Sequence, residues 1–123
     1  MIAPAETTAV RAASPADWRD WLGEHSDSAD EVWLVIQHVG SATPSVLVRE
    51  EMSEALCFGW IDSLARKRDP GSFYLRFTPR RPDSRWSRRN RDDAEELISQ
   101  GRMTGRGLAA IERARQIGTW PTD

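Results

Sequence analysis

Residues 31–39 read EVWLVIQHV, a run in which β-branched and other apolar side chains follow one another with little interruption. Such a run is typical of a β-strand that is covered on both faces. The sequence therefore predicts a central strand at residues 31–39, and the stretch from Gly40 to Pro44 should end it.

Two further strands are predicted on either side of the sequence Asp69-Pro70-Gly71-Ser72. Proline and glycine suit the tight reversal of a hairpin, and the flanking residues 60–68 and 73–78 have strand character. In the second arm, apolar side chains occupy alternate positions from Phe73 onward, which indicates one apolar face. We therefore expect a small, mainly antiparallel sheet of about three strands.

Four segments have apolar residues at helical spacing and are predicted as helices. Ser14, Ser87 and Thr104 are suitable N-caps for three of these helices, and the remaining one begins at Val48. The predicted helices end near His25, Phe58, Gln100 and Ile117. About four helices packed on a small sheet define an α+β domain.

The helix that begins at Val48 carries several acidic residues, among them Glu51 and Glu54. Its apolar side chains fall on one face, so these carboxylates should point mostly outward.

The length of 123 residues allows one compact domain but not two domains with independent cores. Residues 1–13 lack periodicity and are expected to form a flexible N-terminal arm, and residues 14–123 a single domain. One cysteine, Cys57, excludes an intramolecular disulfide and favours a reduced, cytoplasmic protein. No apolar run approaches the length of a membrane span, so membrane insertion is disfavoured.

Metal and cofactor chemistry finds little support in the sequence. The two histidines, His25 and His38, are too isolated to suggest a metal site. Neither a phosphate-binding glycine loop nor a dinucleotide fingerprint occurs, and no cofactor is expected.

Positive charge is concentrated in the middle of the chain. Residues 66–91 contain ten basic side chains against two acidic ones, although the net charge of the whole chain is −2. Nearly all of the basic residues are arginines, whose planar fork suits phosphate and carboxylate groups. The first ligand class to consider is therefore anionic.

Several of these arginines surround the start of the helix capped by Ser87, where the helix dipole disfavours cations. Two explanations are open. An anion held at that end would reverse the penalty, or Arg88, Arg89 and Arg91 could pair with acidic residues four positions later and form a solvated, self-paired face.

The candidate site is a groove formed by the hairpin and the start of this helix, and eight residues are predicted to bind the anionic ligand. They supply charge, stacking walls and orienting polar groups, in that order: Arg80, Arg81, Arg85 and Arg88; Trp60 and Trp86; Asp62 and Asn90.

Two alternatives come from other functional classes, although the sequence favours a binding protein over an enzyme and assigns no catalytic residue. The first is a small hydrolase that uses Asp62 as a general base or Cys57 as a nucleophile. The second is an interaction module whose basic surface docks an acidic protein partner. Nucleic acid is less favoured, because the rest of the chain is acidic. The sequence does not indicate an oligomeric state.

Four stretches in order, EVWL (31–34), EALCFGWIDS (54–63), RFTPRR (76–81) and SRWSRRN (84–90), resemble the YdeI/OmpD-associated family. The resemblance spans residues 14–120. It implies a bacterial protein linked to bacteriocin protection and envelope-stress resistance. It implies no catalytic residues, but it directs attention to residues 60–63 and 80–90.

Overall fold

The computed structural model describes residues 4–38 and 48–122, in which four helices pack against a four-stranded sheet. The strands are β1 (Val10–Arg11), β2 (Val32–Gln37), β3 (Trp60–Asp69) and β4 (Ser72–Pro79). The helices are α1 (Pro15–His25), α2 (Val48–Cys57), α3 (Arg88–Ser99) and α4 (Gly105–Ile117). The α+β class is confirmed, and the sheet has one strand more than expected.

The strand at residues 31–39 is confirmed as β2, and it lies inside the sheet, whose order is β1-β2-β4-β3. Its first five residues are buried, as the uninterrupted apolar run predicts. β2 pairs antiparallel with β4, and β3 and β4 form the predicted hairpin. The expected break at Gly40–Pro44 lies outside the described residues.

The N-terminal arm was predicted too long, because its last residues belong to the sheet. Val10 pairs with Leu34 in a short parallel strand at the free edge of β2, and Ala12 is buried in the core. A two-residue strand has no periodicity to detect, so only its neighbours in space reveal it.

Two hydrophobic cores meet at α2. The first lies between the sheet, α1 and α2, and the second lies among α2, α3 and α4. Ala55 belongs to the first core and Leu56 to the second. Because α2 is covered on two sides, the outward orientation predicted for its acidic residues is wrong for Glu51 and Glu54, which are both buried.

The helix α4 approaches the end of α2 closely at Gly107. A Cβ atom at this position would collide with the carbonyl group of Cys57 and the sulfur of Met103, so only glycine fits. Thr104, the predicted N-cap of α4, donates its hydroxyl to the same Cys57 carbonyl. This contact fixes α4 beside the start of β3, where the candidate site lies.

Candidate functional site

Arg80 directly follows β4, and its position is fixed by both its backbone and its side chain. Its backbone N–H donates to the carbonyl of Gly59 at 2.9 Å. Its guanidinium carbon lies 3.9 Å from the centroid of the Trp86 ring, a close cation–π contact. Nη2 donates to the Ser84 hydroxyl at 3.2 Å and to the Arg85 carbonyl at 3.0 Å.

The other two nitrogens of Arg80 differ from Nη2 in their contacts. Nε and Nη1 are buried, and among the described residues neither makes a hydrogen bond. Burial lowers the pKa of Arg80 to about 10, so the group still carries its charge at neutral pH. A buried charge without a counter-ion is costly, and an arriving anion would offset that cost.

Arg80 and Trp60 together form part of the wall of two neighbouring cavities. The first, which we call the arginine cavity, has a volume of about 260 Å³ and no acidic residue in its lining. The four guanidinium groups that line it belong to Arg80, Arg81, Arg106 and Arg113. Its chemistry therefore favours negative charge.

Two of these four arginines lie beside exposed acidic residues. Arg81 lies 3.8 Å from Asp83, and both side chains are largely exposed. Arg106 lies 3.6 Å from Asp27, again near the surface. Such exposed pairs contribute little, so both guanidinium groups can still turn toward a ligand.

The second cavity, which we call the mixed cavity, has a volume of about 420 Å³. Its polar lining includes Asp62 and Asn90 as well as Arg80, together with Ser53 from α2. Asp62 forms no ion pair with Arg80, and among the described residues its carboxylate has no other ion-pair partner.

Glu51 is a notable residue that the sequence did not single out. Its side chain is fully buried, and within the described residues neither carboxyl oxygen has a hydrogen-bond partner. Burial, and to a smaller extent the nearby charge of Asp62, raises the pKa of Glu51 to about 9. The group is thus a neutral acid at pH 7. Its backbone carbonyl accepts from the Trp18 indole at 3.0 Å, which ties α2 to α1.

The eight predicted residues divide between the two cavities and the surface. Trp60, Asp62, Arg80 and Asn90 line the mixed cavity. Trp60, Arg80, Arg81 and Trp86 line the arginine cavity. Arg85 and Arg88 line neither of these two cavities.

The sequence predicted that Trp60 and Trp86 form open stacking walls, and this prediction is wrong. Trp60 is 2% exposed and Trp86 is 6% exposed. Arg80 covers one side of Trp86, and the Trp120 ring lies 5.3 Å away. Both rings are needed to complete the cores, which leaves no open face for a base or an aromatic ligand.

The start of α3 does not gather the arginines around a shared point. Ser87 and Asn90 form a reciprocal capping box that satisfies backbone N–H groups at this end. Arg89 lies 3.9 Å from Asp93, the residue four positions later that was predicted as its partner. Arg91 instead pairs with its neighbour Asp92 at 3.1 Å. The solvated, self-paired interpretation therefore describes Arg89, whereas Arg91 has a different acidic partner from the predicted one and a side chain that is only 17% exposed.

Cys57 is poorly placed to act as a nucleophile. Its side chain is fully buried, and burial raises the pKa of the thiol despite the nearby Arg19 guanidinium. Arg19 is itself engaged by Glu54 at 2.9 Å, and Glu54 also contacts Arg102 at 3.2 Å. This network holds α1, α2 and the α3–α4 connection together.

The histidines lie apart in the structure. His25 packs against Trp21 at the end of α1, and His38 packs against Phe73. Among residues 4–38 and 48–122, no group of three His, Cys, Asp or Glu side chains could hold a metal ion. Within the same ranges, no helix combines the length and apolar character needed to cross a bilayer.

Residues 10–110 match the model of a protein family described as a domain of unknown function (DUF8412), and the chain belongs to that family. The match begins at β1, so the family unit includes the edge strand that the sequence had placed in the arm. No curated protein and no solved structure gives a significant match.

Proposed function

We propose that this domain binds a small oxyanion, such as a phosphate or carboxylate group, at Arg80. The observation that carries the proposal is the buried guanidinium whose Nε and Nη1 lack partners among the described residues. Each of these two nitrogens carries an N–H group that can donate to an anion oxygen in a charge-assisted hydrogen bond. Arg81, Arg106 and Arg113 supply further positive charge in the arginine cavity.

A compact anion is favoured over single-stranded nucleic acid. Binding of a single strand relies on aromatic faces that stack with successive bases. Trp60 and Trp86 are buried and cannot offer such faces. The arginine cavity, at about 260 Å³, also suits one small group better than a chain of nucleotides.

The resemblance to YdeI/OmpD-associated proteins gives this proposal a cellular setting, protection against bacteriocins and envelope stress. A cytoplasmic location also belongs to the proposal, and the buried free thiol of Cys57 supports it. The oxyanion would then be a cytoplasmic metabolite whose binding the stress response uses.

The test is a titration of inorganic phosphate and ethyl phosphate at low salt, followed by calorimetry and tryptophan fluorescence. The wild type should bind saturably, and Arg80→Met should weaken binding by at least about tenfold. Arg85→Met removes an equal charge from the same loop but lines neither cavity, so its affinity should stay within about twofold.

Two results would overturn the proposal: no saturable binding by the wild type, or equal weakening by Arg80→Met and Arg85→Met. Arg80→Lys serves as a second variant, because it keeps the charge and the stem but loses the fork. It should fold like the wild type and bind more weakly, which separates a binding defect from a folding defect.

A hydrolase is a second candidate, and it rests on Asp62 rather than Cys57. Asp62 is a carboxylate without an ion-pair partner among the described residues and lines a cavity with Ser53 and Asn90, where it could take a proton from water. Asp62→Asn should then abolish hydrolysis of phosphate or carboxylate esters. Absence of wild-type turnover on both ester classes counts against this candidate.

The third candidate, an acidic protein partner, is supported by the exposed Arg81 and Arg89, whose side chains are 86% and 79% accessible. Partner capture would then depend on these two arginines and disappear at high salt. Capture that persists in the double variant Arg81→Gln with Arg89→Gln would argue against it.

A further inference from the structure

The mixed cavity contains a cation and an anion that do not neutralise each other. Arg80 and Asp62 both line it, yet they form no ion pair. Its other lining carboxylate, Asp93, is already placed beside Arg89 at 3.9 Å. Arg80 and Asp62 thus line the same 420 Å³ of space without an ion-pair partner among the described residues, and Arg49 adds a further positive charge to the lining.

The unsatisfied polar groups point to the same cavity. In the described part of the chain, buried side-chain atoms without a hydrogen bond occur at Arg80 and Glu51. Arg80 lines the cavity, and Glu51 immediately precedes Met52 and Ser53, which also line it. Buried polar groups are normally satisfied, so the unpartnered nitrogens of Arg80 in the cavity wall favour binding of a ligand there, and Glu51 is close enough for the charge of Asp62 to affect it.

The charge state of Glu51 matters for Asp62. The pKa of Glu51 is raised to about 9, mainly by burial, so this carboxyl is neutral at pH 7. Asp62, which lines the mixed cavity, therefore has a neutral acid near it rather than a second buried anion.

We propose that the ligand of this domain is bifunctional, with an oxyanion that binds Arg80 and an ammonium group that binds Asp62 across the mixed cavity. The inference rests on the proposed function, because it uses the same anion at Arg80. It adds a substrate class: amino-substituted phosphates or carboxylates rather than simple anions. Trp60, Leu56 and Ile61 provide the apolar wall between the two charged ends.

The matching ligand should show a preferred separation between its two charges. An amine and a phosphate too close together cannot reach both residues, and a longer spacer must fold back and lose entropy. Each correct end replaces water at a charged group, where hydrogen bonds are strong. The ammonium group should therefore improve affinity by about tenfold at the best spacing.

The experiment compares a series of ω-aminoalkyl phosphates of increasing chain length with n-alkyl phosphates of the same lengths, by calorimetry at pH 7 and low salt. At one spacer length the amine should bind about tenfold more tightly than its alkyl counterpart. Asp62→Asn should abolish this advantage, so that each amine binds no more tightly than its alkyl counterpart. Glu95→Gln is the matched control, because it removes an equal charge from α3 at an exposed position outside both cavities.

The outcomes separate the two proposals. If alkyl phosphates bind but no amine shows an advantage, or if Asp62→Asn keeps the advantage, the bifunctional ligand is wrong and the anion site stands. If Glu95→Gln loses the advantage as fully as Asp62→Asn, the effect is one of net charge, and the inference is again wrong. If neither inorganic phosphate nor any alkyl phosphate binds, the proposed function itself fails.

Discussion

Two arginine-rich regions adjoin each other in sequence but differ in their chemistry. At the start of α3, Ser87 and Asn90 satisfy the backbone, and Arg89 and Arg91 lie beside acidic neighbours. A few residues earlier, the half-buried Arg80 packs against Trp86, and its buried Nε and Nη1 make no hydrogen bond among the described residues. Both regions look alike when only the number of positive charges is considered.

The difference teaches that burial and pairing, rather than the density of arginines, distinguish a binding site from a solvated face. When an exposed ion pair separates, water solvates both charged groups, so the pair contributes little to stability. A buried cation without a counter-ion is shielded from water and lacks this compensation. Variants around Arg80 should therefore change the unfolding free energy or the anion affinity strongly, and variants at the start of α3 should change both less.

The largest effect is expected from Trp86→Ala. The ring is 6% exposed, packs in the helical core and supports the Arg80 guanidinium. Its loss should lower the free energy of unfolding by about 3–5 kcal/mol, measured by urea denaturation. A loss under about 1 kcal/mol would mean that the ring is not part of the core and that Arg80 lacks its support.

Glu51→Gln should have the next largest effect, and it should depend on pH. The folded protein keeps a proton on Glu51 up to about pH 9, whereas the unfolded chain releases it near the ordinary glutamate pKa of 4.5. The wild type therefore loses stability as pH rises between these values, and the glutamine variant does not. The variant should gain on the order of a few kcal/mol relative to wild type by pH 9.

Denaturant unfolding of both proteins across this pH range checks the prediction. A stability difference that does not change with pH would show that Glu51 is ionised in the folded state. The charge assignment of the mixed cavity would then be wrong, because Asp62 would face a second anion.

Ser87→Ala should have a moderate effect at the start of α3. Ser87 Oγ accepts the backbone N–H of Asn90 at 3.0 Å. Loss of this cap should destabilise the protein by about 1 kcal/mol in thermal or urea unfolding. Phosphate affinity should not change, and a drop of tenfold or more would return the anion site to the helix start.

Arg89→Gln should have the smallest effect. The side chain is 79% exposed and 3.9 Å from Asp93, and the helix dipole opposes its charge. The change in unfolding free energy should stay within about 0.5 kcal/mol in either direction. A destabilisation above about 2 kcal/mol would make the two arginine-rich regions energetically alike.

Much of the fold could be predicted because its signals are local. The apolar run of β2, the Asp69–Ser72 reversal and the caps Ser14, Ser87 and Thr104 all occur where the sequence places them. The edge strand at Val10 could not be predicted, because pairing with Leu34 rather than any local pattern creates it.

The candidate site was harder to predict because its character depends on burial. The arginine-rich segment was recognised, but nothing local distinguishes Arg80 from the exposed Arg85. Glu51 was misplaced because α1 covers it from far along the chain, through the Trp18 contact. Residue type alone thus identifies the segment, and packing between distant elements decides which charges are left without partners.

The central claim is that the Arg80 guanidinium contacts an anion, and NMR of isotope-labelled arginine side chains tests it most directly. The Nε–H signal of Arg80, identified by its absence in Arg80→Met, should shift saturably during a phosphate titration at low salt. The signals of Arg85 and Arg89 should move much less. A static Arg80 signal while the exposed arginines shift would contradict the account.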